Sequence, residues 1–498
     1  MDWVLALDAG TTGVRTLAVG ADGRPGPMAY REFPQHFPRP GWVEHDAADI
    51  LAAALATLGE VAGTLRDGGG RIAAIGITNQ RETVVAWDRR TGQPRHRAIV
   101  WQDRRTAATC DALREAGHEP LVRARTGLIL DPYFSATKMA WLLTEGGVED
   151  DGDLAMGTVD TWLLWNLTGG PAGGVHATEP SNASRTLLYD IGAGAWSPEL
   201  ADRFGVPMGV LPFVGMSSGR FGVSVPDCAA GLAVPVSGIA GDQQASLFGQ
   251  ACVEPGQTKN TYGTGSFVLM NVGSTLPSPV DGLLTTVAWQ IGETVTYALE
   301  GAVFVTGAAV QWLRDGLGIL ASSGEAGPLA ESVPDTGGVV FVPALTGLGA
   351  PYWDPYARGA VLGITRGTTR AHLVRAAIEA MAWQTRDVVD AMTAASGRAI
   401  ASLRIDGGAS VMDLLCRFQA DVLGTEVRRS AVRETTALGA AFLAGLAEDV
   451  WGDVDDVAAH WYDDGRWQAT APRAEIDAAY AQWRRGVDRA QGWADTEA

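Results

Sequence analysis

Residues 8–15 read DAGTTGVR, starting after the apolar run 3–7 (WVLAL) and passing into 14–19 (VRTLAV), and about 250 positions later residues 260–267 read NTYGTGSF. A short turn of Asp, Gly and Thr that closes a strand hairpin points backbone N–H groups and hydroxyls at one place, which suits phosphate oxygens and a metal ion. Gly10 and Gly13 permit the tight bend. The first loop alone could be an ordinary turn closed by Asp8. Two loops of the same chemistry half a chain apart point instead to a duplicated α/β architecture that grips a nucleotide between its halves.

A chain of 498 residues exceeds the size at which one hydrophobic core stops growing, so two domains are expected, 1–250 and 251–498. Gly249 and the turn Glu254-Pro255-Gly256 mark the boundary. The net charge of -19, with no basic stripe, argues against a nucleic-acid partner. Among the 38 basic residues, Lys138 and Lys259 are the only lysines, which reads as a composition bias. Cys110, Cys228, Cys252 and Cys416 stand far apart without metal-type spacing, as free thiols of a reducing compartment do. Asp2 and Asp8 interrupt the apolar stretch that a signal peptide needs, and no window reads as a membrane span. A cytoplasmic location is expected.

A helix is expected near 46–66 and a short buried strand at 72–77 (IAAIGI). After the boundary the chain begins again with strands near 257–270, 283–290 and 295–300. The clearest helix runs from a Thr369 cap to about Thr393, with Val374, Ile378, Met381, Val388 and Met392 on one face. The segment 402–410 (SLRIDGGAS) reads as a strand entering a Gly turn. The tail beyond about 450, acidic and rich in Trp and Ala, reads as a surface helix pair.

Phosphoryl transfer to an alcohol needs a cradle for the donor phosphates, a metal to offset their charge, and a carboxylate that takes the hydroxyl proton. Asp8, at a strand end beside Gly10, Thr11 and Thr12, can orient magnesium while its loop holds phosphate. Asp242, in the run SGIAGDQQASLFGQ (237–250), sits between an apolar strand and a helix. It is a helix cap by default and a general base if its neighbours hold it. Arg81 and Glu82 follow the strand 72–77, at the strand end where open α/β sheets place ligands, and their paired charges suit a polyol. They could equally be a surface ion pair. Trp101, Tyr133 and Phe267 could wall off carbon-bound hydrogens, or each could be plain core.

The runs AIGITNQRET, AIVWQDRRT, DPYFSATK, GTVDTW, NASRT, SGIAGDQQASLFGQ, KNTYGTGSF, YALEGAVF, GLGAPYWDPYARGA and VRETTALGAA, spread from residue 4 to about 447, together resemble the FGGY carbohydrate kinases. These belong to the sugar kinase, heat-shock and actin superfamily, and the likeness is greatest to members that phosphorylate glycerol. The resemblance implies two actin-like (ribonuclease H-like) domains with an interdomain cleft that closes by a hinge motion. It places glycerol against Arg81, Glu82, Trp101, Tyr133, Asp242, Gln243 and Phe267, with Asp242 taking the proton. Phosphate contacts fall on Thr12, Arg15 and Thr264 in loops that include Thr11 and Gly13, Asp8 on Mg2+, and further nucleotide contacts on Gly307, Gln311, Gly408 and Met412. The implied reaction, in glycerol catabolism, is ATP plus glycerol giving ADP and sn-glycerol 3-phosphate, and the implied assembly is a homodimer or homotetramer. The chain departs from the family at Ala9, commonly Gln, and at Met412, often Asn. A kinase for another small polyol or ketose, and a non-catalytic nucleotide-binding regulator, are the alternatives. The first is disfavoured because relatives that act on pentuloses typically lack the Arg81-Glu82 pair and Gln243. The second needs no polyol wall.

Overall fold

The computed structural model describes residues 1–494. Thirteen strands form one sheet: β1 (Asp2–Ala9), β2 (Gly13–Gly20), β3 (Pro25–Glu32), β4 (Arg71–Asn79), β5 (Ser218–Val223), β6 (Pro235–Gly241), β7 (Gln257–Tyr262), β8 (Ser266–Gly273), β9 (Leu284–Ile291), β10 (Thr294–Val303), β11 (Ser402–Gly407), β12 (Val427–Ser430) and β13 (Asp463–Trp467). Their spatial order is β13-β12-β11-β7-β8-β10-β9-β5-β6-β4-β1-β2-β3.

The two sides of this sheet repeat one plan. β1 pairs antiparallel with β2 and parallel with β4; β7 pairs antiparallel with β8 and parallel with β11. Each glycine-rich loop is therefore the turn of a hairpin whose first strand runs beside a parallel neighbour. β5 and β9 join the sides through Ser218 and Ile291. The centre of β1 is wholly apolar, as a strand covered on both faces must be: Val4, Leu5, Ala6 and Leu7 are fully buried.

Helix α1 (Ala47–Asp67) begins at Asp46, whose side chain accepts from the Ala48 N–H. By length and composition alone α1 could cross a membrane, contrary to the expectation that no window would. Its stripe of Ile50, Ala54, Leu58, Val61 and Leu65 is instead buried within the core formed with β1, β2 and β4, a core helix's packing. Helix α2 (Asp242–Gly249) follows β6 directly. Helix α3 (Arg370–Ser396) has the expected Thr369 cap, with the Thr369 and His372 side chains capping reciprocally, and buries Val374, Ile378, Met381, Val388 and Met392.

Helix α4 (Asp413–Leu423) follows the Gly turn after β11, and α5 (Thr435–Ala447), though late in sequence, lies across β1, β4 and β6. It gets there because glycines remove the obstructing Cβ atoms. A Cβ on Gly76 would stand 2.2 Å from the Ala440 carbonyl, and one on Gly439 would stand 1.8 Å from the Ala245 carbonyl of α2.

The tail holds the two expected helices, a short one at Val454–Ala459 and a long one at Arg473–Ala490, but a strand lies between them and the long helix is not a surface one. Residues 463–467 form the edge strand β13, and α6 (Arg473–Ala490) buries Ile476, Trp483 and Val487 in the same core as α3 and α4. Asp387 of α3, buried, accepts hydrogen bonds from Tyr480 and Trp483 and so pins this helix.

Candidate active site

The first loop joins β1 to β2. Gly10 N–H donates to the Gly13 carbonyl at 3.0 Å, and the Thr11 and Thr12 N–H groups have no acceptor among the described residues. Gly13 is required: a Cβ there would lie 2.5 Å from the Arg31 carbonyl. The Thr12 hydroxyl is exposed, 3.3 Å from that of Tyr30. Asp8 is the penultimate residue of β1, with its carboxylate 3.5 Å from Arg15 Nη1. Burial above all, with the negative charges of Asp242 and Glu434, lifts its carboxyl to about 6 against the pull of Arg15. Glu434 was not anticipated from sequence. It precedes α5, and only the folding of that helix onto the front strands brings it near Asp8.

Asp242 stands where β6 meets α2. Gly241, not Asp242, occupies the cap position; Asp242 is the first residue of α2, and its carboxylate bonds a first-turn N–H of its own helix instead of capping from outside it. Its Oδ1 accepts from the Gln243 N–H at 2.7 Å and lies 3.3 Å from Arg81 Nε, with the side chain 31% exposed. Burial is the main cause of its raised pKa, reinforced by Glu82 and opposed by Arg81 and Lys259. A carboxylate so placed is more basic than an ordinary aspartate while still able to reach the cleft.

Arg81 and Glu82 are not a surface pair; both are about 98% buried, their side chains only 2% exposed. Arg81 donates to Glu300 at 2.5 Å, to Tyr133 Oη at 3.1 Å and to Gln244 at 3.3 Å. Arg185 completes the cluster, donating to Glu82 at 2.8 Å and to Glu300 at 2.9 Å. Burial alone would push the Glu300 carboxyl up, but the Arg185 and Arg81 guanidiniums outweigh it and hold it at about 2. Trp101 meets Tyr133 edge-on at 5.6 Å, and the Phe267 ring lies 5.9 Å from the Arg81 guanidinium. Tyr133 and Phe267 thus lie against Arg81, and Trp101 lies against Tyr133. Trp101 also ties it to the first loop, its indole N–H donating to Thr11 Oγ1 at 2.9 Å.

Sequence reading passed over Glu300, Arg185 and Lys259 as site residues. Lys259 Nζ, buried, donates to Gln243 Oε1 at 2.5 Å and to Thr261 at 3.0 Å; Lys138 Nζ donates to the Tyr133 carbonyl at 2.6 Å. Both lysines of this arginine-rich chain therefore brace a neighbour of the ion-pair cluster. Their rarity was the available signal. For Glu300 it was a lone carboxylate inside the apolar strand β10.

The second loop joins β7 to β8. Gly263 N–H donates to the Gly265 carbonyl, and the Thr264 carbonyl accepts from Thr306 and Ala308, both at 3.0 Å. Gly307 lies against this loop, since a Cβ there would stand 2.5 Å from the Gly263 carbonyl. Met412 lines an open cavity of about 770 Å³ together with Gly324, Gly327, Pro328 and Val411. Gln311 and Gly408 are exposed and make no hydrogen bond to the other candidates among the described residues.

Among the described residues no three His, Cys, Asp or Glu side chains stand together as a ready metal cage. The donor set fits a hard ion that brings its own ligands: Asp8 with Asp242 and Glu434 nearby, a concentration of negative charge that already raises the Asp8 carboxyl.

A single sheet made of two like sides, each with a Gly-Thr hairpin loop, over a buried carboxylate–guanidinium cluster, defines a two-domain α/β kinase fold of the sugar-kinase type. The chain belongs to the FGGY family of carbohydrate kinases: the family's N-terminal domain matches residues 3–249 and its C-terminal domain residues 258–448. It is 52% identical to a glycerol kinase of Dechloromonas aromatica, over 99% of this chain and 98% of that one. It is 53% identical to one of Trichlorobacter lovleyi, over 99% and 100%. The crystal structure of Plasmodium falciparum glycerol kinase with ADP superposes with a TM-score of 0.93 at 34% identity, covering 98% of each chain. A xylulose kinase from Rhodospirillum rubrum superposes with a TM-score of 0.85 at 25% identity, covering 97% and 98%.

Proposed function

We propose that this chain transfers the terminal phosphoryl group of ATP to glycerol, giving ADP and sn-glycerol 3-phosphate. The observation that carries the reading is the position of Arg81. It is held by Glu300 and Tyr133 while its Nε lies 3.3 Å from the part-exposed Asp242 carboxylate. Full-length relatives about half identical to this chain are glycerol kinases, and a similar structure holds ADP.

In this account Arg81 and Glu82 donate to and accept from neighbouring glycerol hydroxyls, and Gln243, braced by Lys259, adds an amide. Trp101, Tyr133 and Phe267 cover the carbon-bound hydrogens and exclude water. The reacting hydroxyl oxygen bonds to the γ-phosphorus, the bond from that phosphorus to the bridging oxygen breaks, and ADP leaves with the electron pair. Asp242 accepts the hydroxyl proton as the new bond forms. The loop N–H groups of Thr11 and Thr12, with Gly13 at the turn and the side chains of Thr12 and Arg15, receive the donor phosphates, and Thr264 approaches them from the second loop. Gly307, Gln311, Gly408 and Met412 form the nucleoside end. Asp8 would hold Mg2+, which when bound offsets phosphate charge.

The division of labour follows the two sides of the sheet. Residues 1–250 supply the polyol site, the first loop and Asp242, and residues 251–498 supply the second loop and the nucleoside site. Glu300 and Phe267 reach across from the second. We place the reaction in the cytoplasm, where its nucleotide donor is made. Exposed Met208, Phe213 and Met216 support a homodimer or homotetramer, which sedimentation velocity would read.

The test is ADP release by the purified protein with glycerol, dihydroxyacetone, erythritol, xylulose and ribulose. Glycerol should lead in kcat/KM by about tenfold or more. A ketose in the lead would reassign the substrate, and no ADP release with any acceptor would leave a nucleotide-binding regulator.

A further inference from the structure

His45 is fully buried behind the first loop, on a two-residue strand (Glu44–His45) paired with Gln35–His36, and nothing in the reaction as described uses it. Its two ring nitrogens are both engaged. Nε2 lies 2.6 Å from Gln35 Oε1, and the amide nitrogen of the same Gln35 donates to the Thr11 carbonyl at 2.9 Å. Nδ1 lies 3.3 Å from Gln80 Nε2, which also donates to the Gly10 carbonyl at 3.1 Å, while Gln80 Oε1 accepts from Thr83 at 2.7 Å.

These roles fit in one way only. The Gln80 nitrogen is fixed by the Gly10 carbonyl and can only donate, so Nδ1 must accept; the Gln35 nitrogen is fixed by the Thr11 carbonyl, so its Oε1 faces the ring and must accept from Nε2–H. The ring is therefore neutral, with its proton on Nε2. Burial agrees, holding the imidazole down at about 4, with His36 as the neighbouring basic group. The loop is wired from behind at every carbonyl: Ala9 accepts from Gln80 N–H, Gly10 from the Gln80 amide, Thr11 from the Gln35 amide, Thr12 from Phe33 N–H and Gly13 from Gly10 N–H. With the carbonyls committed backwards, the Thr11 and Thr12 N–H groups are left for an anion.

We propose that His45 is a positioning residue for the nucleoside triphosphate, acting through Gln35 and Gln80 to hold the Gly10 and Thr11 carbonyls out of the phosphate cradle. It touches no substrate. The inference rests on the reading of the 8–15 loop as that cradle, and it assigns the loop's rigidity to one neutral imidazole rather than to the glycines alone.

The experiment is steady-state kinetics on His45→Phe, which keeps a ring against Phe33 and removes both nitrogens, and on Gln35→Met, which cuts one arm. Both should raise the KM for MgATP about tenfold or more and leave the glycerol KM within about twofold. The double variant should be no worse than the worse single, because the two act in series. A folded His45→Phe whose MgATP KM stays within about twofold of wild type, or whose two KM values rise together, overturns the proposal. If His45→Phe does not fold, Gln35→Met is judged by the same criteria. Arg15→Ala separates the premise from the inference. Should it leave the MgATP KM unchanged, the cradle reading itself is wrong; should it raise that KM while His45→Phe does not, only the role of His45 is.

Discussion

Replacing Glu300 by Gln tests the cluster beneath the polyol site. Glu300 is fully buried between Arg81 at 2.5 Å and Arg185 at 2.9 Å, and these guanidiniums hold its carboxyl at about 2 against an ordinary 4.5. That depression is a factor of several hundred in proton affinity, or ~3 kcal/mol favouring the charged form. Removing one partner of a buried ion pair costs about 3–5 kcal/mol by a separate line of experience. Gln keeps the shape and one acceptor, so a loss of ~3 kcal/mol is expected in urea denaturation at pH 7.5. Because the folded carboxyl is depressed, its stabilisation is complete above 4.5 and fades as pH falls through about 2. The gap between wild type and variant should therefore be constant from pH 8 down to about 5. Freed from Glu300, Arg81 should also lose its aim, and the glycerol KM should rise. A loss below about 1 kcal/mol with an unchanged glycerol KM would refute the reasoning, since the cluster would then be no more than a surface-type pair.

Asp242→Asn should lower turnover by about 100-fold or more while the ATP dissociation constant, read by calorimetry, stays near that of wild type. Gly439→Ala would drive a Cβ to within 1.8 Å of the Ala245 carbonyl, and α2 and α5 must part to admit it. A destabilisation of about 2 kcal/mol or more is expected by thermal denaturation, and a neutral substitution would show that these helices are not in close contact. Asp8→Asn should weaken the dependence of activity on Mg2+ concentration and lower kcat, and an unaltered magnesium titration would remove Asp8 from the ion's site.

The parts of this structure legible in the sequence are those whose cause is local. Both hairpin loops, strand β4, helix α1 and the Thr369 cap follow from glycine placement, apolar runs and capping chemistry within a few residues of each other. Asp242 was visible for the same reason, as a polar residue between an apolar strand and a helix. The polar cluster was only half visible. Arg81 and Glu82 are adjacent in sequence, but Glu300 meets Arg81 across a separation of 219 residues, and no spacing rule predicts such a contact. Helix α5 shows the same limit: its composition marks an apolar helix, while its seat on β4 and β6 depends on Gly76 and Gly238, and its approach to α2 on Gly249. Strand β13 (DDGRW) was missed because an edge strand with solvated side chains carries no hydrophobic alternation to read.

The claim on which the mechanism turns is that one carboxylate meets one hydroxyl. A crystal structure with glycerol and a non-hydrolysable ATP analogue measures it directly. An Asp242 oxygen should lie about 2.6–3.2 Å from a glycerol hydroxyl that faces the terminal phosphorus. Glycerol bound against Arg81 and Glu82 with Asp242 turned away, its carboxylate beyond about 5 Å from every hydroxyl, would contradict the assignment of this residue as the base.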